Sequence, residues 1–352
     1  MQSFSSSLGQ MRSVWQAGPE CQPFVVAGSG TSAMEMAVTN LVESGDRVVV
    51  ANSGYFSDRM ATMLRRRGAD VVQVLAWPGE VPDLEQVSSA LAEAPTKALF
   101  ATHVDTSTGV RVDAEALCAV AREHGALSVF DGVCATGAER FDMGAWGADC
   151  YLTASQKALG LPAGLALMVA SPAALDARDA LTSPPPMSLD WQEWRPIMKS
   201  YEALQPSYFS TPATTLIPAL DVSLQEVLSE GIAARFDLHA RVAGAFRAAW
   251  EVLGLSLLPV SSDIAANTLS ALRYPDGVDS RLVLAIKERG VVVAGGLHPE
   301  LKTRYFRVGH MGHVLTQPHQ LERTLHAVAD GLADCGYRAD KLGALRAFRS
   351  RV

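Results

Sequence analysis

The stretch "TASQKALGLPAGLALMVAS" (Thr153–Ser171) sets one apolar run against another, with a turn rich in glycine and proline between them. Lys157 is the only formally charged side chain between Asp149 and Asp176. Lysine is seldom buried, because its charge is costly to desolvate without a partner. A lysine carried into such surroundings is therefore expected to be paired, or neutral and chemically useful. The flanks, "CYLTAS" (150–155) and "LALMVAS" (165–171), read as strands apolar on both faces, the pattern of a sheet covered by helices on either side. Similar runs precede them: "FVVAG" (24–28), "RVVVAN" (47–52), "ADVVQVLAW" (69–77), "KALFATHV" (97–104) and "LSVFDG" (127–132). Helical patterns fall between, at 31–43, 56–67, 83–94 and 113–124. This alternation predicts an α/β domain with a mainly parallel sheet.

Beyond Ser171 the alternation stops. "SPPPMSLDWQEWRP" (183–196) reads as a long irregular segment, followed by helices over 212–228 and 230–253. A smaller α+β unit is expected after them, with strands near 255–260, 268–274, 291–294 and 304–309. The boundary is placed near Glu230, giving a large domain over 1–230 and a small one over 231–352.

Composition narrows the partners. The 352 residues carry a net charge of −7 and a pI near 5.6, which argues against nucleic acid or an acidic membrane surface. No apolar run reaches the roughly 18 residues of a membrane span without Pro, Gly or charge. No signal-peptide pattern is present, and the terminal "SRV" only partly matches the peroxisomal S-K-L address. A soluble intracellular protein is expected, cytoplasmic first, with peroxisome or mitochondrion as alternatives. The five scattered cysteines contain no C-x-x-C pair and indicate neither a disulfide framework nor a metal site. Cys118 and Cys134 read as core thiols.

Chemistry is sought at the carboxyl ends of the strands, where ligands of such sheets bind. "AGSGTSAMEMA" (27–37) follows the first strand and opens a helix, so its backbone N–H groups can approach an anion. The same turn fits a nicotinamide-type G-x-G-x-x-G/A fingerprint, or a structural turn alone. That fingerprint also wants an acid after the second strand, where this chain has Asn52 and Ser53. Asp131 ends its strand as either a turn cap or the partner of a protonated group. Lys157 is either a snorkelling surface lysine or a nucleophile. Arg307, in "RYFRVGHMG" (304–312), is a surface arginine or a clamp for a carboxylate. Phe56 is core packing or a stacking platform, and His103 is given no catalytic role. An anion-cradling turn, an Asp and a solitary Lys at strand ends form the set used with pyridoxal 5′-phosphate (PLP): a lysine Schiff base, an acid for the pyridine nitrogen and a turn for the phosphate. Desolvation would keep the lysine amine reactive near neutrality.

The chain resembles the class V (fold type I) PLP-dependent aminotransferases, in particular the fungal type of alanine–glyoxylate and serine–pyruvate enzyme. The motifs are "GSGT" (28–31), "FSDR" (56–59), "THVDTSTG" (102–109), "DGVCATG" (131–137), "TASQKA" (153–158), "YFSTP" (208–212), "GVVVAGG" (290–296) and "FRVGHMG" (306–312), which span most of the chain. The resemblance implies that Lys157 carries the cofactor and that Asp131 holds the ring nitrogen protonated. Phe56 would stack on the ring and Thr106 would contact its oxygen. Ser29, Gly30, Thr31 and Gln156 would hold the phosphate, joined across a homodimer interface by Tyr208 and Thr211 of the neighbouring chain. Arg307 would bind the substrate carboxylate. The implied reaction moves the amino group of alanine or serine to glyoxylate or pyruvate, with glycine biosynthesis as its setting when glyoxylate is the acceptor. Other fold type I activities (an aminoethylphosphonate transaminase, a lyase or desulfurase), a nicotinamide-binding oxidoreductase and an inactive homologue stand as alternatives. The "GPGP"-like segment that opens the family has no counterpart before Gln2, so a shortened N-terminal segment is expected. Ala135 replaces a serine common in relatives, and its contact is expected to be lost or moved to Thr136.

Overall fold

A computed structural model describes residues 1–352. Strands β1 (Gln22–Ala27), β2 (Arg47–Asn52), β3 (Asp70–Leu75) and β4 (Ala98–Thr102) lead to a small ribbon of β5 (Val104–Asp105) and β6 (Val110–Arg111). Strands β7 (Leu127–Asp131), β8 (Cys150–Ala154) and β9 (Leu165–Ala170) follow. Seven of these form one sheet in the order β1-β9-β8-β7-β4-β2-β3. All pairs in it are parallel except the two made by β9, which runs antiparallel to β8 and β1. The expected α/β class and all seven expected sheet strands are present. Strands β4, β8 and β9 are buried along their whole length, which accounts for their two-faced apolar sequences.

Helices α1 (Gln2–Trp15), α2 (Gly30–Leu41), α3 (Tyr55–Arg67), α4 (Leu84–Ala92), α5 (Ala114–Glu123) and α6 (Met143–Trp146) accompany the sheet, with α7 (Pro172–Asp179), α8 (Trp191–Glu202) and α9 (Leu216–Glu230) after it. Asp83, Asp113 and Ser171 cap α4, α5 and α7 by accepting a backbone N–H with their side chains, each contributing about 1 kcal/mol. The segment expected to be irregular, 183–196, contains the first half of α8. Trp191, Trp194, Met198 and Tyr201 recur on one buried face, and this burial outweighs the one backbone donor lost at Pro196. Helix α1 was not anticipated either; Phe4, Leu8, Met11 and Trp15 form its buried stripe.

The remainder comprises α10 (Ile232–Val252), β10 (Leu269–Arg273), α11 (Arg281–Glu288), β11 (Ala294–Gly295), β12 (Tyr305–Gly309), α12 (Pro318–Asp334) and α13 (Lys341–Arg349). Its three-stranded antiparallel sheet has the order β10-β12-β11, so Arg307 lies on the central strand. The strand expected at 255–260 is a coil with one bridge, Leu257 to Leu272. Pro259 has no N–H with which to continue the ladder. One hydrophobic core draws on residues from Phe4 to Val227, and a second on residues from Val242 to Phe348. No helix is long and apolar enough to cross a membrane.

Candidate active site

The carboxyl ends of β1, β2, β4, β7 and β8 converge on a cavity of about 200 Å³. Ser29, Gly30, Thr31, Phe56, Thr106, Asp131, Gln156 and Lys157 all line it. Residues scattered over almost 130 positions are thus brought together by one sheet edge.

The floor is electrostatically demanding. Asp131 is the last residue of β7 and is buried. Its Oδ1 accepts the Val133 N–H at 2.9 Å, while Oδ2 accepts from no group of the chain. Burial pushes this carboxyl up to about 7, opposed by the Val133 N–H. Behind it, the Thr136 and Thr153 hydroxyls both donate to the Gly132 carbonyl. Gly132 is required there, because a Cβ would fall within 2.2 Å of the Tyr151 ring. The Thr136 hydroxyl donates to this turn, and Ala135 is buried in a small apolar cluster. His103, buried beside Tyr151 and joined to its hydroxyl at 2.8 Å, is held neutral with its pKa lowered to about 3, chiefly by burial.

Lys157 stands on the turn after β8, half-buried rather than enclosed. The apolar surroundings in sequence are those of the strands on either side, not of the amine itself. Lys157 is thus less enclosed in this chain than its apolar flanks lead one to expect. Lys157 has no ion-pair or hydrogen-bond partner in the chain, which leaves Nζ free on the cavity wall.

Opposite, the amino end of α2 supplies a cradle. Ser29 and Ser32 form a reciprocal capping box at the helix start. First-turn N–H groups have no intrahelical partner and favour an anion. Gly30 keeps the approach open, since a Cβ would come within 2.9 Å of Val133 Cγ2. Phe56 is aimed by the start of α3, whose Phe56 and Ser57 N–H groups donate to the buried Asp105 carboxylate. The same carboxylate accepts the Ser107 N–H and hydroxyl. Gly54 permits this approach, as its Cβ would meet Ser107 Oγ at 2.6 Å.

Three expected residues lie outside the cavity wall. Arg307 adjoins it: Nη1 donates to the Thr106 carbonyl at 3.2 Å and Nε to Gly295 at 2.9 Å, leaving Nη2 without a partner. Tyr208 and Thr211 are exposed, Tyr208 by 74 %, on the coil before α9, so a single chain does not bring them to the cavity. Sequence reasoning gave no role to Arg59 and no site role to Cys134, both of which line the cavity. Arg59 donates to Thr31 Oγ1 at 3.0 Å and packs 5.1 Å from the Phe56 ring centroid. Its spacing of three residues from Phe56 was the available signal.

A family model described as aminotransferase class-V matches residues 14–219. The chain belongs to the class V aminotransferase family. It is 39 % identical to alanine–glyoxylate aminotransferase 1 of Saccharomyces cerevisiae, over 88 % of this chain and 83 % of that one. Against the L-aspartate–glyoxylate aminotransferase of Paracoccus denitrificans, identity is 34 % over 83 % of this chain and 74 % of the relative. The crystal structure of an alanine–glyoxylate aminotransferase from Nostoc superposes with a TM-score of 0.87 at 30 % identity, covering 94 % of this chain and 86 % of that one. As a class V aminotransferase it offers an amine, an unpartnered carboxyl oxygen, an aromatic face and a helix amino end around one cavity. This donor set fits a phosphate-bearing pyridine aldehyde.

Proposed function

We propose that this class V aminotransferase uses PLP to move the amino group of alanine or serine to glyoxylate, or to pyruvate. Glyoxylate would yield glycine, and the donor would leave as its oxo acid. The observation that carries the reading is the meeting of Lys157, Asp131 and the α2 amino end in one cavity. Lys157 would hold the cofactor, Phe56 its ring face, and Ser29, Gly30, Thr31 and Gln156 its phosphate, with Arg59 adding positive charge beside Thr31. When bound, PLP supplies an aldehyde for the donor's amine and a ring that draws off the electrons left by the α-proton. Asp131 would keep the ring nitrogen's proton in place. Lys157 Nζ would take the donor's α-proton and return it as general base and acid. Arg307 Nη2, held in position by the two carbonyls on its other nitrogens, would bind the substrate carboxylate. Tyr208 and Thr211 would reach the phosphate of a partner chain in a homodimer.

The test mixes PLP-loaded protein with single amino acids and follows loss of its visible absorption. Alanine or serine should bleach it, and glyoxylate should restore it. Lys157→Ala should neither bleach nor become covalently labelled after borohydride treatment. Bleaching by aspartate alone would overturn the donor assignment. Covalent labelling of Lys157→Ala would overturn the site.

A further inference from the structure

Behind the cavity wall, one buried arginine gathers three separate backbone segments. Arg235, near the start of α10, is 6 % exposed. Its Nη2 donates to the Ala158 carbonyl at 2.9 Å, Nε to the Gly137 carbonyl at 3.1 Å and Nη1 to Glu230 Oε2 at 2.6 Å. Ala158 directly follows Lys157, and Gly137 lies in the turn that follows Asp131. A single side chain from beyond Glu230 therefore ties together the two segments that carry the amine and the carboxyl.

The arginine is itself braced. One turn along α10, buried His239 joins the Arg235 carbonyl through Nδ1 at 2.8 Å, and its Nε2 accepts the Gly312 N–H at 3.2 Å. Burial lowers the His239 pKa to about 4, so the ring stays neutral and can donate at one nitrogen while accepting at the other. Gly312 in turn packs closely on the Ala158 carbonyl. It has φ +71°, and a Cβ there would approach the Ala158 oxygen to 2.9 Å. The Ser223 hydroxyl caps the next carbonyl, that of Leu159. A guanidinium's planar fork spreads its donors over two carbonyls and a carboxylate; an ammonium, a compact point charge, would reproduce that geometry only in part.

We propose that Arg235, braced by His239, is a positioning residue for Lys157: it fixes the turn on which the amine stands relative to Asp131. This rests on the reading of Lys157 as the residue that holds PLP. The consequence is that the angle of Lys157 is set by the second unit of the chain, not by its own strand alone.

The experiment compares wild type with Arg235→Gln, using circular dichroism for folding and peptide mass mapping after PLP and borohydride for labelling of Lys157. The pH midpoint of the bound cofactor's visible band is measured as well. The expected result is a folded variant that still takes up PLP, labels Lys157 about tenfold more slowly and shifts the midpoint by about half a unit or more. Arg235→Lys should recover part of the labelling rate. Wild-type labelling with an unmoved midpoint overturns the proposal. Should Arg235→Gln fail to fold, Gly312→Ala keeps the arginine and crowds the Ala158 carbonyl that it binds. It must then show the same slow labelling, and unchanged labelling there overturns the proposal equally. Absence of Lys157 labelling in wild type would instead overturn the functional reading beneath it.

Discussion

Asp131 is the residue on which the site's electrostatics turn. In the unfolded chain an aspartate has lost its proton by about pH 5, whereas the folded carboxyl keeps it to about 7 because burial disfavours the charge. Between those values the folded state binds the extra proton, so stability falls as pH rises. Cofactor-free protein should therefore melt progressively lower from about pH 5 to 7, and Asp131→Asn should remove a slope of at most about 1.4 kcal/mol per pH unit. Glu139, raised to about 6, acts in the same direction over the lower part of that window, so the Asn variant is needed to isolate the Asp131 share. A slope that survives Asp131→Asn unaltered would contradict the assignment. Asp131 and Lys157 were both legible in the sequence because each breaks an apolar run at a strand end. Lys157 is less enclosed than its sequence context suggests, because the deep burial belongs to the flanking strands. Arg59 escaped notice because a charged residue on a helix most often faces solvent, and nothing local shows which face it takes.

At the level of elements, the chain builds its site from helix starts. Asp105 does for α3 what Ser29 does for α2, but from a distant ribbon, accepting four hydrogen bonds while fully buried. Replacing it with alanine strands those donors, and Asp105→Ala should cost about 3–5 kcal/mol in a denaturation experiment. Phe56 would lose its fixed aim, so PLP affinity should fall in parallel. A stability loss below about 1 kcal/mol would refute this account. The elements themselves were readable where periodicity and burial agreed, as in all seven strands of the large sheet. They were not where a run of prolines suggested an irregular segment, as over 183–196, or where a proline interrupts a short apolar run, as Pro259 does in 255–260. Helices α11, α12 and α13 lie outside the expected elements. Capping by Asp105 is a long-range contact that no local pattern encodes.

For the whole molecule, the exposure of Tyr208 and Thr211 is the feature that a single chain does not explain. If each site borrows them from a partner, Lys157→Ala and Tyr208→Ala chains should complement one another. Unfolded and refolded together, a hybrid dimer holds one site with both native residues, so about a quarter of all sites become active. No recovery of transamination above the two separate variants would show that Tyr208 serves its own chain or none. The two hydrophobic cores support a division of the chain near Glu230, a proposal that limited proteolysis would examine. Their arrangement also separates two tasks of the proposed site. Asp131 pairs in register with Leu152 across adjacent strands β7 and β8, five positions before Lys157, whereas Arg307 hangs from a different sheet. On the reading proposed above, coenzyme binding and carboxylate binding would thus sit on separate scaffolds. Changes in the loops around β11 and β12 would then alter the carboxylate side of the site while leaving untouched the strand ends that would hold the coenzyme.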